Sequence, residues 1–252
     1  MEVYESFARV YDSLMDDVPY REWADRILSL LREEGMTGGL ALDLGCGTGK
    51  MTRLMDRAGY DMIGIDASLD MLQIARENSP DGILYLLQDM REFELYGTVG
   101  AVISVCDSLN YILSEEELLE VFSLVRNYLD PGGFFVFDIN TEHKYRDVIG
   151  DSVIAEDRDR VSFIWYNRYE EEERRNYIDL NVFVREEDGR YRKFSEMHIQ
   201  AGYTYEMIAG LIRQSGLVLK KAFDGYSMRP ADDTSERILF VCRKQELGEN
   251  NE

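Results

Sequence analysis

The chain has 252 residues, of which 45% are hydrophobic and 12% aromatic, and this size suits one sizeable core and excludes two large independent domains. Its formal net charge of −21 at pH 7 repels phosphate backbones and anionic membranes, which disfavours nucleic acid and lipid as partners. No apolar run reaches the roughly 18 residues of a membrane span, and no secretory signal is readable, so we expect a soluble cytoplasmic protein.

The cysteines agree with a reducing compartment. Cys46, Cys106 and Cys242 are widely spaced and form neither a metal-ligand cluster nor a disulfide framework. We therefore expect no metal site.

Residues 1–35 are predicted to form two helices, which would lie over a bound ligand. Apolar and aromatic residues recur at helical spacing from Val3 to Leu31. The run Asp16-Asp17-Val18-Pro19 interrupts this spacing and is typical of a turn.

Residues 36–150 alternate between predicted strands and predicted helices. The strands are Leu40–Leu44, Met62–Asp66, Leu84–Gln88, Val99–Cys106 and Phe134–Asp138, and the helices are Gly49–Ala58, Ser68–Glu77 and Ser114–Leu129. This alternation predicts an α/β fold, a Rossmann-like, mostly parallel sheet flanked by helices. Ser114 with Glu117 indicates a helix start, and Pro131-Gly132-Gly133 a helix stop.

Beyond residue 150 the hydrophobic period changes to two. The residues Ile178, Leu180, Val182 and Val184 fall on one face of a strand over Asn176–Glu186. With neighbouring strands at Val161–Tyr169 and Arg190–Gln200, the pattern predicts an antiparallel meander inserted over residues 151–203. Residues 204–244 are predicted to return to the core sheet, and residues 245–252 to form a disordered tail.

A glycine-rich turn carries the strongest chemical signal. Leu42–Gly49 reads as a buried strand that ends in Gly45-Cys46-Gly47-Thr48-Gly49 and continues into a helix, so that a ligand can contact bare backbone. Lys50 occupies the position where a dinucleotide fingerprint requires a small residue. Asp43, two residues before the first glycine, suits a ligand with an ammonium group and a sulfonium better than a pyrophosphate.

Acidic residues also follow the next two strands. Asp66 comes 21 residues after Gly45, and its carboxylate can accept hydrogen bonds from two ribose hydroxyls. The alternative is that Asp66 only caps the helix that follows. After the third strand, Asp89 can accept from an adenine amino group while Met90 packs on the ring, or Asp89 can be a solvated loop carboxylate.

Together these motifs resemble class I S-adenosylmethionine-dependent methyltransferases, and the resemblance implies their Rossmann-like fold with a mostly parallel sheet of seven strands. The opening Tyr4–Trp23, the segment Cys106–Tyr111, Phe137–Asn140 and Phe194–His198 more narrowly resemble the YqeM-type bacterial methyltransferases, relatives of sugar N,N-dimethyltransferases.

The resemblance implies a role for each strand-end residue. Asp43 with Gly45, Gly47 and Gly49 would hold the methionyl part, Asp66 the ribose, and Asp89 with Met90 the adenine. Tyr11 and Trp23 would close over the cofactor. We also assign to the cofactor site Cys46, Ala67, Met71, Gln88 and Cys106.

The acceptor site is predicted after the fourth strand. Asp107, Asn110 and Tyr111 would lie at the carboxyl edge of the sheet, beside the methyl group. Asn110 can instead only shape the turn. His198, on a strand face with Glu196, is either catalytic or half of a structural pair. Cys106 lacks a neighbouring base, which favours core packing over a nucleophilic role.

The predicted reaction is methyl transfer by in-line displacement to a small molecule, with an amine preferred because acidic and basic side chains surround the predicted acceptor position. A nicotinamide-dependent oxidoreductase is disfavoured by the glycine spacing. A non-catalytic S-adenosylmethionine-binding regulatory or assembly module stays open as the alternative. The meander would serve as a lid or as the interface of a possible homodimer.

Overall fold

Two β-sheets organise residues 11–12 and 14–245, the part of the chain that the computed structural model describes. The strands are β1 (Gly39–Leu44), β2 (Tyr60–Asp66), β3 (Leu84–Leu87), β4 (Val99–Ser104), β5 (Leu129–Asn140), β6 (Val153–Asp157), β7 (Val161–Glu170), β8 (Arg175–Arg185), β9 (Tyr191–Ala201), β10 (Leu217–Asp224) and β11 (Arg237–Lys244). The helices are α1 (Tyr20–Glu33), α2 (Lys50–Arg57), α3 (Leu69–Glu77), α4 (Glu115–Tyr128) and α5 (Tyr205–Ser215), with a 3₁₀ turn at Ser108–Tyr111 and a π-helical turn at Lys144–Ile149.

The first sheet has seven strands in the order β10-β11-β5-β4-β1-β2-β3. Strands β1 to β5 pair in parallel, whereas β11 runs antiparallel to both β5 and β10. The prediction of a mostly parallel, helix-flanked sheet is therefore confirmed. The strand order reverses between β1 and β4, and such a switch point is where ligands bind at the carboxyl edge of open α/β sheets.

Alternation along each strand fills both faces of this sheet. In β4, Val102 joins one buried cluster while its neighbours Ala101 and Ile103 join the cluster on the opposite face. The first cluster contains the stacked rings of Phe135 and Phe137, whose centroids are 4.5 Å apart. Because both faces are buried, the strands read as continuous apolar runs rather than as alternating ones.

The helix start predicted at Ser114 is confirmed, since Ser114 Oγ accepts a hydrogen bond from the Glu117 backbone N–H at 3.2 Å. That bond satisfies one of the free donors in the first turn. The helix ends at Tyr128, and the chain enters β5 at Leu129, earlier than the predicted strand at Phe134.

The second sheet has four antiparallel strands in the order β6-β7-β8-β9, one strand more than predicted. All five residues of β6 are exposed, so no hydrophobic period marks that strand in the sequence. The face predicted to be buried is buried, with Ile178, Leu180 and Val182 at most 9% exposed and Val184 packed against them. The last residues of β9, Gln200 and Ala201, bring this sheet to the carboxyl edge of the first.

Part of the predicted amino-terminal helix and of the predicted tail lies outside the described residues. Within the described ranges, no helix is both long enough and apolar enough to cross a membrane. The same residues contain no group of three or more His, Cys, Asp or Glu side chains arranged to hold a metal ion.

Candidate functional site

The glycine-rich turn between β1 and α2 presents bare backbone. The N–H groups of Gly45 and Cys46 both donate to the carbonyl of Ile65, which anchors the turn to β2. Gly47 has φ = +53°, and a Cβ built on it would meet nothing within 4 Å. A Cβ on Gly45 would lie 2.8 Å from Ser108 Cβ, so only glycine permits this close approach.

The other residues of the turn face the protein interior. The side chain of Cys46 packs in a buried cluster with Leu72, Ala75 and Tyr85, and burial raises the pKa of its thiol. A side chain at Gly49 would collide with the Tyr85 hydroxyl. Of the predicted cofactor residues in the turn, Gly47 borders open space, and Gly45 approaches Ser108 and Met90 closely. Cys46 and Gly49 pack against residues of α3 and β3.

Asp43 lies beneath the turn and is only 1% exposed. Thr52 Oγ1 donates a 2.6 Å hydrogen bond to its Oδ2 atom. Burial, together with the charge of Asp66, raises the pKa of Asp43 to about 7. Asp43 therefore responds to a neighbouring positive charge by losing a proton near neutral pH.

Asp66 lies at the end of β2 with its carboxylate fixed by backbone. Gly47 N–H donates to Oδ2 and Ser68 N–H donates to Oδ1, each at 2.8 Å. The helix cap of α3 is Ser68, whose Oγ accepts from Met71 N–H, so Asp66 does not serve as the cap. Ala67 is exposed beside the carboxylate. Each oxygen of Asp66 has a second lone pair for a ligand hydroxyl.

The loop after β3 differs in part from its prediction. The side-chain amide of Gln88 closes the loop by bonding both backbone groups of Glu94, so it does not face the turn. Asp89 accepts from Arg91 Nε at 2.9 Å and Arg91 Nη2 at 2.6 Å, and these hydrogen bonds lower the pKa of Asp89. The terminal methyl of Met90 would lie 3.2 Å from a Cβ on Gly45, so Met90 borders the turn.

The amino-terminal segment is tied to the glycine-rich turn by a residue that the sequence analysis missed. Asp12 accepts a 2.7 Å hydrogen bond from Thr48 Oγ1 and lies 3.4 Å from Lys50 Nζ. Burial, together with the charges of Cys106 and Asp107, raises the pKa of Tyr11 well above its usual value.

Trp23 packs against residues near the start of β11, and its predicted role of closing over the cofactor stays a prediction. Its ring stacks on Tyr226 with centroids 4.3 Å apart and planes at 2°. The guanidinium of Arg237 lies 5.2 Å from the Trp23 ring centroid. The side chain thus contacts residues of the β10–β11 region rather than the glycine-rich turn.

The segment after β4 is held by a buried carboxylate from the neighbouring strand. Cys106 and Asp107 both have left-handed backbone, with φ of +58° and +51°, which is unusual for residues with side chains. Asp138 of β5 is 0% exposed and accepts both of their N–H groups, at 3.3 and 2.8 Å. Tyr226 Oη and Arg237 Nη1 complete the contacts of this carboxylate, at 2.5 and 2.8 Å.

Asp107 is itself held from two directions. Arg237 Nη2 lies 2.7 Å from Oδ1, and Gln200 Nε2 donates to Oδ2 at 2.7 Å. Arg237 therefore bridges Asp107 and Asp138 with its two terminal nitrogens. A planar guanidinium suits such a bridge better than the compact ammonium of a lysine, because its donors point in fixed directions. Although burial alone would lower the pKa of Arg237, the two carboxylates raise it well above its usual value.

The side chain of Asn110 shapes the turn, which was the alternative to its predicted contact with the acceptor. Its Nδ2 donates to the carbonyls of Asn140 and Ala201, both at 2.8 Å, and its Oδ1 accepts from Asn140 N–H at 2.9 Å. Both amide protons are used, and the side chain is 0% exposed. Asn110 therefore joins the 3₁₀ turn to the ends of β5 and β9.

Tyr111 and His198 meet at the open side of the site. The Tyr111 hydroxyl lies 3.2 Å from His198 Nδ1, and 47% of the tyrosine is exposed. Burial lowers the pKa of His198, although the charge of Glu196 opposes this shift, so the imidazole is neutral at pH 7. A neutral imidazole beside a phenol can accept a proton.

Sequence reasoning missed Asp138, Gln200 and Arg237. The motif Phe137–Asn140 contributed to the family resemblance, but no role was assigned to its carboxylate. Since β11 runs antiparallel, its first residue lies at the carboxyl edge of the parallel strands, and this rule would have drawn attention to Arg237. No comparable signal marks Gln200, whose position depends on the register of the second sheet.

Comparisons with known proteins show which family and fold the chain is similar to. A family described as "Methyltransferase domain" matches residues 41–133. The putative methyltransferase YqeM of Bacillus subtilis (strain 168) is 33% identical over 245 residues, which cover 96% of this chain and 97% of the relative.

A crystal structure of an S-adenosylmethionine-dependent methyltransferase from Clostridium acetobutylicum ATCC 824 superimposes with a TM-score of 0.87 at 28% identity, covering 95% of this chain and 98% of that one. The dTDP-3-amino-3,4,6-trideoxy-alpha-D-glucopyranose N,N-dimethyltransferase of Streptomyces venezuelae is 34% identical over 119 residues, or 47% of this chain and 50% of the relative. These similarities confirm the resemblance predicted from the sequence.

Replacing Asn110 by alanine is expected to lower the free energy of unfolding by about 2–4 kcal/mol, because three buried backbone groups lose their partner. Chemical denaturation of Asn110→Ala measures the change. Asn127→Ala, at an exposed position of α4, serves as the control and should differ from wild type by at most about 0.5 kcal/mol. An unfolding free energy of Asn110→Ala equal to that of the control would contradict the structural role.

Proposed function

The chain belongs to the YqeM-type family of S-adenosylmethionine-dependent methyltransferases, and from this premise we propose that it methylates an amine of a small molecule. The observation that carries the proposal is the carboxylate of Asp107 at the end of β4, beside the glycine-rich turn. Fixed by Arg237 and Gln200, it offers a negative group to an ammonium or amine. The N,N-dimethyltransferase relative, whose name specifies an amino sugar, supports the same acceptor class.

The residues around the turn fit the methyl donor. S-adenosylmethionine supplies the electrophilic methyl group and a neutral leaving group, so no covalent nucleophile of the protein is required. Gly47 leaves open space next to the Asp66 carboxylate, where two ribose hydroxyls can donate to its oxygens. Asp43 lies on the adjoining strand and suits the ammonium and sulfonium charges.

Adenine recognition is assigned to Met90 and Asp89. Met90 borders Gly45, where an apolar side chain can cover one face of a ring. Asp89 would share its carboxylate between Arg91 and the adenine amino group, since each oxygen accepts more than one hydrogen bond. Gln88 and Cys46 contribute backbone only, because their side chains are committed elsewhere.

For the acceptor, we assign three side chains with separate tasks. Asp107 attracts and orients the amine. Tyr111 and His198 remove its proton. The Tyr111 hydroxyl accepts the proton from the amine nitrogen and passes its own proton to the neutral imidazole of His198. Orientation converts the transfer to an effectively unimolecular step, which is the main contribution a protein makes to such a displacement.

The four-stranded sheet, in this proposal, roofs the acceptor pocket. Strand β9 carries His198 and Gln200, two residues apart and hence on one face, and both reach the end of β4. The same face continues into the buried apolar cluster around Leu180 and Val182. One face of the sheet therefore carries both the polar side chains at the site and the apolar cluster next to them.

Replacing Asp66 by alanine is expected to weaken S-adenosylhomocysteine binding by about 1.5–3 kcal/mol, the range for hydrogen bonds to a charged group. Calorimetry measures the affinity. Asp61→Ala, at an exposed position of the same strand, is the matched control and should bind as wild type does. Equal affinities for the two variants would remove Asp66 from the donor site.

Donor binding is expected to release protons near neutral pH. Asp43 has a pKa of about 7 in the free protein, and the ligand ammonium favours its ionised form, which lowers that pKa in the complex. Calorimetry of S-adenosylhomocysteine in buffers of different ionisation enthalpy should give a release that diminishes above about pH 8. The release should be absent in Asp43→Asn and retained in Asp61→Asn. Proton uptake, or the same release in Asp43→Asn, would count against this placement.

Removing the Tyr111 hydroxyl should lower kcat/KM by roughly 10- to 10⁴-fold while donor affinity hardly changes. The measurement pairs calorimetric affinity with S-adenosylhomocysteine release for Tyr111→Phe and His198→Ala, using an acceptor found by screening amines. Tyr191→Phe, at an exposed position of β9, is the control. If only His198→Ala loses turnover, the base belongs to the four-stranded sheet alone, and full activity of both variants would leave them without a catalytic role.

A further inference from the structure

Lys144 is a half-buried cation beside the proposed acceptor site. It begins the π-helical turn that follows β5, and its Nζ atom donates to Asn140 Oδ1 at 3.0 Å. Within residues 11–12 and 14–245, this neutral amide is the one hydrogen-bond partner of the Nζ atom, and Lys144 forms no ion pair there.

A chain of hydrogen bonds fixes this ammonium relative to Asp107. Asn140 Nδ2 donates to Tyr145 Oη at 3.1 Å, Tyr145 donates to Gln200 Oε1 at 2.9 Å, and Gln200 donates to Asp107 Oδ2 at 2.7 Å. Every donor points from Lys144 toward Asp107, so the chain is polarised in one direction. The ammonium and the carboxylate are thus the two ends of one rigid network.

The acidic groups near Lys144 make no direct hydrogen bond or ion pair with its ammonium among the described residues. The carboxylates of Asp107 and Asp138 both accept from Arg237, which lies between them. Glu236 is exposed and acts on Lys144 through its charge, without a direct ion pair among the described residues. Burial and the charge of Arg237 lower the pKa of Lys144 although the charges of Asp107, Glu236 and Asp138 oppose the shift, so these carboxylates compensate the ammonium only in part.

Two of the three ammonium protons therefore have no acceptor among the described residues, and leaving a partly buried cation in this state is costly. A ligand with anionic oxygens would remove that cost. Arg237 does not compete for such a ligand, because both of its terminal nitrogens are held by carboxylates.

We propose that Lys144 binds an anionic oxygen group, phosphate or carboxylate, at the far end of the acceptor from its amine. The inference rests on the proposed function for the amine end, at Asp107 and Tyr111. The acceptor class is then an amine that also carries a negative group, held at both ends by one hydrogen-bonded network. Lys144 determines which amines are accepted, and it takes no part in the methyl transfer itself.

The test uses glucosamine, glucosamine 6-phosphate and glucosaminate as acceptors, and measures kcat/KM by S-adenosylhomocysteine release. Wild type should prefer the phosphate or the carboxylate over glucosamine, and which of the two it prefers identifies the anionic group. Lys144→Met should reduce this preference about 10- to 100-fold, the equivalent of a lost hydrogen bond to a charged group. Lys144→Arg should keep most of it, and the exposed-site control Lys220→Met all of it.

A second arm is independent of methyl transfer. Inorganic phosphate and acetate are titrated into the S-adenosylhomocysteine-loaded protein, and wild type should bind at least one of them about 10-fold more tightly than Lys144→Met. If no amine is turned over but this anion binding depends on Lys144, the amine proposal fails and the anion site stands. If wild type and Lys144→Met bind both anions equally, or if the preference among amines survives in Lys144→Met, the proposal is overturned.

Discussion

The bridge that Arg237 makes between Asp107 and Asp138 is the interaction on which the acceptor side of the proposed site depends. Asp138 is buried completely, and a buried charge persists only when partners compensate it. Its partners are the guanidinium and the N–H groups of Cys106 and Asp107, so the same carboxylate that needs compensation holds the left-handed turn in place. Through Asp107 the bridge also reaches Gln200 and hence the second sheet.

The proposed site has two halves with different mechanical support, a donor half around the glycine-rich turn and Asp66 and an acceptor half around Asp107. The donor half relies on backbone, with Asp66 fixed by two N–H groups and Gly47 open beside it. The acceptor half relies on side chains from β4, β5, β9 and β11, joined by charge-assisted hydrogen bonds. Substitutions in the acceptor half should therefore alter selectivity and rate while the donor half continues to bind.

The donor half was largely predictable from the sequence. The carboxyl ends of parallel strands meet at one edge, so Asp43, Asp66 and the glycine-rich turn had to lie together once the strands were recognised. Gly45 and Gly47 were recognisable because the turn requires bare backbone there. The direction of the Cys46 side chain was not, since it depends on packing against α3 and Tyr85.

The acceptor half was less predictable, for physical reasons that particular residues illustrate. Asn110 follows the fourth strand as a contact residue would, but its amide is consumed by the ends of two strands that are distant in sequence. The family resemblance suggested that Trp23 covers the cofactor, but its stacking on Tyr226 was not predictable, because no local pattern connects the two residues. Lys144 and Gln200 are connected only through Asn140 and Tyr145, and their positions depend on a π-helical turn and on a sheet register that have no sequence signature.

The central claim of this account is that the transferred methyl group is placed on an amine nitrogen of a small molecule. The most direct measurement is nuclear magnetic resonance of the product formed from S-adenosylmethionine labelled with ¹³C in its methyl group, with a small-metabolite fraction as the acceptor source. We expect a labelled methyl group bound to nitrogen, and its chemical shift should change with pH as the product amine titrates. Label on oxygen, carbon or a macromolecule would contradict it.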